Sequence, residues 1–182
     1  MADSTERLPS ANPIPDKLIN AKIYREGDEL LGVGEVTLPD LEYMKESLSG
    51  LGILGELETP VIGHFGNLTL GISWNTVNTQ AVRLLKTTGH QLQVYAAIQV
   101  YDSGLNKLVP KPVKLTANAL PKKAGLGKTT PGKKMDNDTE LEVVSMYLWI
   151  DGREVVAIDK LNGICRIESE DMLTEINSYL GG

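Results

Sequence analysis

Apolar residues in this chain recur by twos far more than by threes and fours. Leu68, Leu70, Ile72 and Trp74 alternate with Asn67, Thr69, Gly71 and Ser73. Leu92, Val94, Ala96, Ile98 and Val100 alternate in the same way with Gln91, Gln93, Tyr95, Ala97 and Gln99. A period of two puts each set on its own face, so both segments predict half-buried strands of an antiparallel sheet. Ile19, Ala21 and Ile23 begin an earlier strand, the Gly27-Asp28 region turns it, and Leu31 to Leu38 returns with Gly32 and Gly34 loosening its middle. Val109 to Leu120 adds another strand, and its Pro110 and Pro112, having no N–H to give a ladder, confine its first half to an edge.

The segment from Glu140 to Asp159 departs from clean alternation. One strand face would carry Leu141, Val143, Tyr147 and Trp149, the other Val144, Met146, Leu148 and Ile150, so both faces ask for cover. Asp151-Gly152 supplies the positive backbone dihedrals of a two-residue hairpin turn and sends Arg153 to Asp159 back along the first strand. Such a strand fits either the middle of a monomeric sandwich or a sheet shared between copies.

Two helices interrupt the strands. Asn78 is placed to cap Thr79 to Thr88, Val77 and Val82 to form a hydrophobic staple, and Gly89 to end the helix in a left-handed conformation. Ala81, Val82, Leu84 and Leu85 make its buried stripe. A shorter helix is expected from Ser169, with Glu170 and Asp171 in its first turn and Met172, Leu173, Ile176 and Leu180 on one side. The pattern predicts a mainly β protein, an antiparallel barrel or sandwich with one packed helix and a short C-terminal helix.

Pro39 to Pro60 shows no period and is long for a connection inside a compact domain. Its Leu41, Met44, Leu48, Leu51, Ile53 and Leu54 are too apolar for a solvated linker, while Gly50, Gly52 and Gly55 argue against a helix. Burial of those side chains alone does not offset the entropy of ordering the segment. A contact with a neighbouring subunit would complete it; a lid packed on its own domain is the other reading.

At 182 residues the chain reads as one domain, residues 17–182, preceded by a flexible arm over residues 1–16. Met1 to Lys17 lacks the apolar run of a signal peptide, and the single Cys165 excludes an internal disulfide, so a soluble protein of a reducing cytoplasm is expected. The net charge is -6, yet Lys122, Lys123, Lys128, Lys133 and Lys134 lie together without an acid among them. The remaining 13 basic groups stand against 24 acidic ones, a balance that excludes a general DNA reader.

Candidate chemistry is sparse. Gly127-Lys128-Thr129 ends like a phosphate loop, but Lys122 stands where its first glycine belongs, and Pro131-Gly132 opposes the helix that must follow. The lysine cluster reads as a solvated loop, with contact to an acidic neighbouring subunit as the functional alternative. Glu140 and Glu142 share a strand face, which is commonplace at a strand end, and His64, His90 and Cys165 have no partner pattern for catalysis or metal binding. No catalytic residue, cofactor or metal is expected.

The chain resembles the major tail tube protein of contractile-tailed bacteriophages, a family shared with R-type bacteriocin particles and more distantly similar in fold to the type VI secretion tube. The resemblance runs from about Lys17 to Leu180. It is carried by Ile19 to Leu38 ending Val36-Thr37-Leu38-Pro39, the long apolar loop, the Leu68 to Trp74 strand with its helix, and Met146-Tyr147-Leu148-Trp149-Ile150-Asp151-Gly152-Arg153-Glu154-Val155-Val156-Ala157-Ile158-Asp159. It implies hexameric rings joined through a shared inner sheet and stacked into a hollow tube inside a contractile sheath, with a tape measure protein and then DNA in the bore. Val144, Met146, Leu148, Ile150, Val155 and Ala157 would serve the inter-subunit sheet, and the 39–60 loop would reach a neighbouring ring. Gln91, Gln93, Gln99, Glu140 and Glu142 are the candidate lumen residues, and the acidic balance of the chain suits a conduit, since like charge on the wall weakens sticking and keeps passage fast. Tail sheath, tape measure, baseplate and tail terminator proteins are the implied partners, and the virion, assembled in the host bacterial cytoplasm, is the implied location. The resemblance also favours one continuous strand from Arg153 to Glu168, although Asn162-Gly163 read alone is a second turn. A monomeric β-sandwich binding module is the alternative function.

Overall fold

The structure, a computed structural model, describes residues 14–27, 29–31, 34–50, 54–104 and 106–180. Its strands are β1 (Ile14–Arg25), β2 (Glu29–Leu30), β3 (Gly34–Thr37), β4 (Tyr43–Leu48), β5 (Leu57–Phe65), β6 (Thr69–Trp74), β7 (His90–Asp102), β8 (Lys107–Ala124), β9 (Asn137–Ile150), β10 (Arg153–Asp159), β11 (Ile164–Ile167) and β12 (Glu170–Asp171). The helices are α1 (Thr79–Arg83) and α2 (Thr174–Tyr179). The arm expected over 1–16 lies mostly outside the described residues, and β1 already begins at Ile14.

Ten strands form one antiparallel sheet along the path β12-β11-β10-β9-β8-β7-β1-β2, with β6 and β3 branching from β9. The branch exists because β9 is long enough to take two neighbours in succession on one side. Asn137 to Glu142 pair with β6, and Ser145 to Ile150 pair with β10. The sheet does not close into a barrel; its two branches lie against a common core in a sandwich-like arrangement. That core joins Leu68, Leu70, Ile72 and Trp74 to Leu92, Val94, Leu115, Leu141, Val143 and Ile158. The buried indole of Trp74 donates to Thr139 Oγ1 at 3.0 Å, so its one polar atom is satisfied. Pro110 and Pro112 sit as expected: from Lys107 to Pro112, β8 has only β7 beside it, and β9 joins from Val113 onward.

The two apolar faces assigned to β9 are regrouped by a bulge. Asn118 pairs with Ser145 and Ala119 with Val143, which leaves Val144 without an opposite residue. One inserted residue reverses the parity of everything after it. The core face therefore runs Leu141, Val143, Met146, Leu148, while Tyr147 and Trp149 turn to the other side and stack with ring centroids 5.9 Å apart.

Four other expectations change. The stretch 39–60 is no irregular loop, for β4 and β5 pair across it as a separate hairpin. Its register jumps between Tyr43↔Phe65 and Lys45↔Pro60, so no regular period survives in the sequence. Asn162-Gly163 is a real turn between β10 and β11, held by Asp159, whose carboxylate accepts from Leu161 N, Asn162 N and Asn162 Nδ2 at 3.0, 2.9 and 2.7 Å. Asn78 does cap α1, its side chain accepting from Ala81 N at 2.7 Å, but the helix gives way after Arg83 to tighter turns, Leu85 N to Val82 O and Lys86 N to Arg83 O. Ala81 and Leu84 are buried while Val82 and Leu85 are exposed, and Gly89 does not adopt positive φ. Last, Ser169 takes φ 71° and is followed by β12, so α2 starts only at Thr174.

Glu29 ties the first turn to α1, accepting from Arg25 at 2.5 Å, Gln80 at 2.5 Å and Arg83 at 2.8 Å. The Gln80 hydrogen bond, with help from both arginines, outweighs desolvation and holds this carboxyl below its ordinary range.

Candidate functional site

The functional surfaces are an open edge, a projecting hairpin and a free sheet face. The edge belongs to β1, which pairs with β7 along its length but with β2 only at Tyr24 and Arg25. Among the described residues, Ile14 to Lys22 therefore have no strand on their outer side. A long unpaired edge presents a row of backbone donors and acceptors to a further strand. Leu18 and Ile19, on this edge, are 57% and 54% exposed.

The hairpin β4–β5 is anchored at its base and exposed beyond it. Tyr43 stacks on Phe65 at 4.6 Å, and Gly66 N donates to Glu42 O at 2.9 Å. Gly63 adopts φ 70°, and a Cβ there would lie 2.4 Å from Leu173 Cδ2, so the lack of a side chain lets the ribbon seat against the segment before α2. Of the six apolar residues expected to reach a neighbour, Leu41, Met44, Leu48 and Leu54 are exposed, and Leu51 and Ile53 lie outside the described residues. Leu57, Val61 and Ile62, which periodicity did not single out, are exposed too. A two-stranded ribbon with apolar residues in water is marginal by itself.

The six residues expected to join the sheets are placed unevenly. Met146 and Ala157 are buried within the chain itself, and Leu148 and Val155 pack against its core. Val144, the bulge residue, and Ile150 keep partial exposure.

Gln91, Gln93 and Gln99 share the face of β7 opposite Leu92, Val94 and Val100. Register carries this face across the sheet: Tyr24 lies beside Gln93, Lys22 beside Tyr95, and Tyr95 beside Lys114, which in turn lies beside Trp149. Glu140 and Glu142 sit at the far end of β9 and are not a free acidic row. Glu140 is 3.3 Å from Lys123, and Glu142 is 2.9 Å from Lys160 and 4.0 Å from Lys122.

The lysine segment folds back on itself. Gly127, at φ 77°, would place a Cβ 2.3 Å from Met135 O, and Lys128 N donates to that carbonyl at 2.7 Å. The loop is thus closed by a backbone approach that only glycine permits, and no helix follows it. Lys122 and Lys123 have the partners already named; among the described residues Lys128, Lys133 and Lys134 have no carboxylate within salt-bridge distance. His90 is buried and its Nε2 donates to Lys86 O at 3.1 Å. Cys165 is buried, and desolvation, with Asp171 nearby, pushes its thiol up. No cluster of three metal-ligating side chains occurs among the described residues, and no helix is long and apolar enough to cross a membrane.

The described surfaces are thus those of an open antiparallel sheet with an edge and an exposed apolar ribbon, the form of a chain that joins others. The profile of phage tail tube protein FII matches residues 15–181, and the chain belongs to that family. It is accordingly a structural, non-enzymatic tail tube protein, part of a phage or phage-like particle. Its fold is similar to that of a chain in an extracellular contractile injection system, the PVC sheath/tube terminator in extended state, with a TM-score of 0.52, 11% identity, and coverage of 74% of this chain and 96% of that one. A chain of the anti-feeding prophage tube terminating cap aligns at a TM-score of 0.48 and 13% identity over 82% of this chain and 99% of that one. No curated protein matches the chain.

Proposed function

We propose that copies of this chain close into hexameric rings by edge-to-edge pairing of their sheets, and that the rings stack into the hollow inner tube of a contractile tail. The observation that carries this is the outer edge of β1 from Leu18 to Lys22, beside which no strand lies among the described residues, with Leu18 and Ile19 exposed on it. A neighbour's strand laid there satisfies the backbone row and covers both side chains at once. The hairpin β4–β5 reaches a copy in the adjacent ring, where burial of Met44, Leu48, Leu54 and Leu57 and continuation of its own edges stabilise it. The face holding Gln91, Gln93 and Gln99 lines the bore, which houses the tape measure protein before DNA passes. The outside meets the tail sheath protein, and the ends meet baseplate and tail terminator proteins. Assembly takes place in the host bacterial cytoplasm.

Negative-stain microscopy of the purified chain across a concentration series tests the reading. Rings or tubes of uniform width are expected, and monomers persisting at high concentration would overturn it. Limited proteolysis adds a second view: cleavage between Pro39 and Pro60 is expected to be fast in monomer and suppressed in tubes.

A further inference from the structure

The free face of β1, β7, β8 and β9 contains a hollow of 860 Å³ bordered by Lys22, Tyr24, Tyr95, Lys114 and Trp149. The Lys114 ammonium stands 5.4 Å from the centroid of the Tyr95 ring and 5.6 Å from that of Trp149. Tyr24 meets Tyr95 edge to face at 5.8 Å, which completes an aromatic wall around a cation. Among the described residues no carboxylate lines the hollow. The acids nearest in register are already engaged, Glu154 by Arg166 at 3.0 Å and Asp151 by Lys111 at 2.8 Å. On a chain of net charge -6, this places two lysines beside aromatic surface with no described carboxylate in the lining.

Such a surface selects its occupant on two counts. The lysines favour anions, and the aromatic and alanine-proline walls favour planar or apolar groups. Duplex DNA offers phosphates but keeps its bases stacked inside, so the walls gain nothing from it. An acidic polypeptide segment offers carboxylates and apolar side chains together. We propose that this hollow docks an acidic, apolar-containing segment of the polypeptide that occupies the bore, with Lys22 and Lys114 pairing its carboxylates and Tyr24, Tyr95 and Trp149 receiving its apolar side chains. The assignment deepens the tube reading and rests on it, because only in a tube does this face meet a resident polypeptide. Each docking contact is weak, as exposed ion pairs are, and repetition around successive rings raises retention without making any one contact slow to release.

Trp149 supplies the readout, since Trp74 is buried at 2% exposure and does not sense this face. The full chain is titrated with a synthetic peptide of glutamate interspersed with leucine and phenylalanine, with the same peptide carrying lysine for glutamate, and with duplex DNA. The acidic peptide is expected to shift the Trp149 emission, and Trp149→Phe to remove the signal. Lys22→Glu combined with Lys114→Glu is expected to weaken binding about tenfold or more, with Lys22→Gln combined with Lys114→Gln as the milder pair should the first not fold. Unchanged affinity in the lysine variants, equal response to the lysine peptide, or an equal response to duplex DNA overturns the proposal. Microscopy of the same samples separates the two readings. Tubes that ignore the acidic peptide sink the docking site alone, whereas peptide binding by a chain that never forms rings sinks the tube.

Discussion

Replacing Leu18 and Ile19 together by threonine should disable assembly while leaving the single chain folded. Threonine is β-branched and favours a strand at both positions, so the backbone preference of β1 survives. Leu18 and Ile19 are 57% and 54% exposed, so about half of the burial free energy of each side chain is still available to a partner. With about 1.5 to 3 kcal/mol for complete burial, each residue contributes about 1 kcal/mol on docking and the pair about 2 kcal/mol per junction. A loss of that size weakens one junction by about 30-fold, and a closed ring loses it at every junction. The isolated chain should change by no more than about 0.5 kcal/mol, as exposed substitutions do. Sedimentation velocity over a concentration series reads the first effect, and the urea midpoint of the monomer reads the second. If the double variant forms tubes at the same concentration as the parent, β1 is not the joining edge. If its urea midpoint collapses instead, the two side chains support the monomer and the exposure argument fails.

Gly63→Ala should loosen the hairpin base by about 1 to 3 kcal/mol, through positive-φ strain and contact with Leu173, and so speed proteolysis near β4 and β5; Leu173→Ala should restore part of the loss, and no recovery would show that the contact is not the cause. Asp159→Asn should cost about 1 to 3 kcal/mol at neutral pH. Burial raises the Asp159 carboxyl, but the hydrogen bonds from Asn162 and Leu161 outweigh it and hold the group below its ordinary range. The lowered folded value means this stabilisation is complete above about pH 4 and is lost as pH falls through the folded value; urea midpoints of parent and variant should therefore converge in acid, and a constant gap would refute the assignment. Cys165, buried with its thiol pushed up, should react with a thiol reagent only as fast as the chain opens, so urea below the unfolding midpoint should accelerate labelling.

The strands that bury one face against the core were legible because alternation is written into their residues. Thr69 to Trp74 and His90 to Val94 alternate in burial as they alternate in polarity. Asp151-Gly152 was legible for a different reason: positive φ at both positions, 53° and 77°, is a local demand that this pair meets. What escaped depends on pairing rather than on composition. The Val144 bulge exists only in relation to Asn118 and Ala119 on β8, so nothing in β9 alone announces it. The hairpin escaped because neither of its faces is buried, and a strand without a core face has no pattern to display. Asn162-Gly163 was readable as a turn from its own residues, and the resemblance to a single long strand misled; the three hydrogen bonds gathered by Asp159 decide the matter locally. For the functional surfaces, the three glutamines of β7 were found together on one face with Tyr95, but Lys22, Tyr24, Lys114 and Trp149 come from β1, β8 and β9 and needed the register to be seen.

The bulge also changes what the two-faced strand means. With Met146 and Leu148 turned inward, about half of the apolar residues of β9 are used by the chain's own core, while Val144, Tyr147, Trp149 and Ile150 stay partly exposed, so β9 carries the expectation of a partner only in part. That expectation passes to residues the core cannot reach: Leu18 and Ile19 on an open edge, and Met44, Leu48, Leu54, Leu57, Val61 and Ile62 on a ribbon held at its base. A monomeric module would gain by making these positions polar, because scattered apolar residues on an edge and a free hairpin invite aggregation. Their concentration on the outer edge of β1 and on a hairpin set apart from the main sheet is what favours a subunit over a module. The two elements also differ in place, one extending the sheet and the other standing outside it, as the proposed joining within a ring and between rings requires.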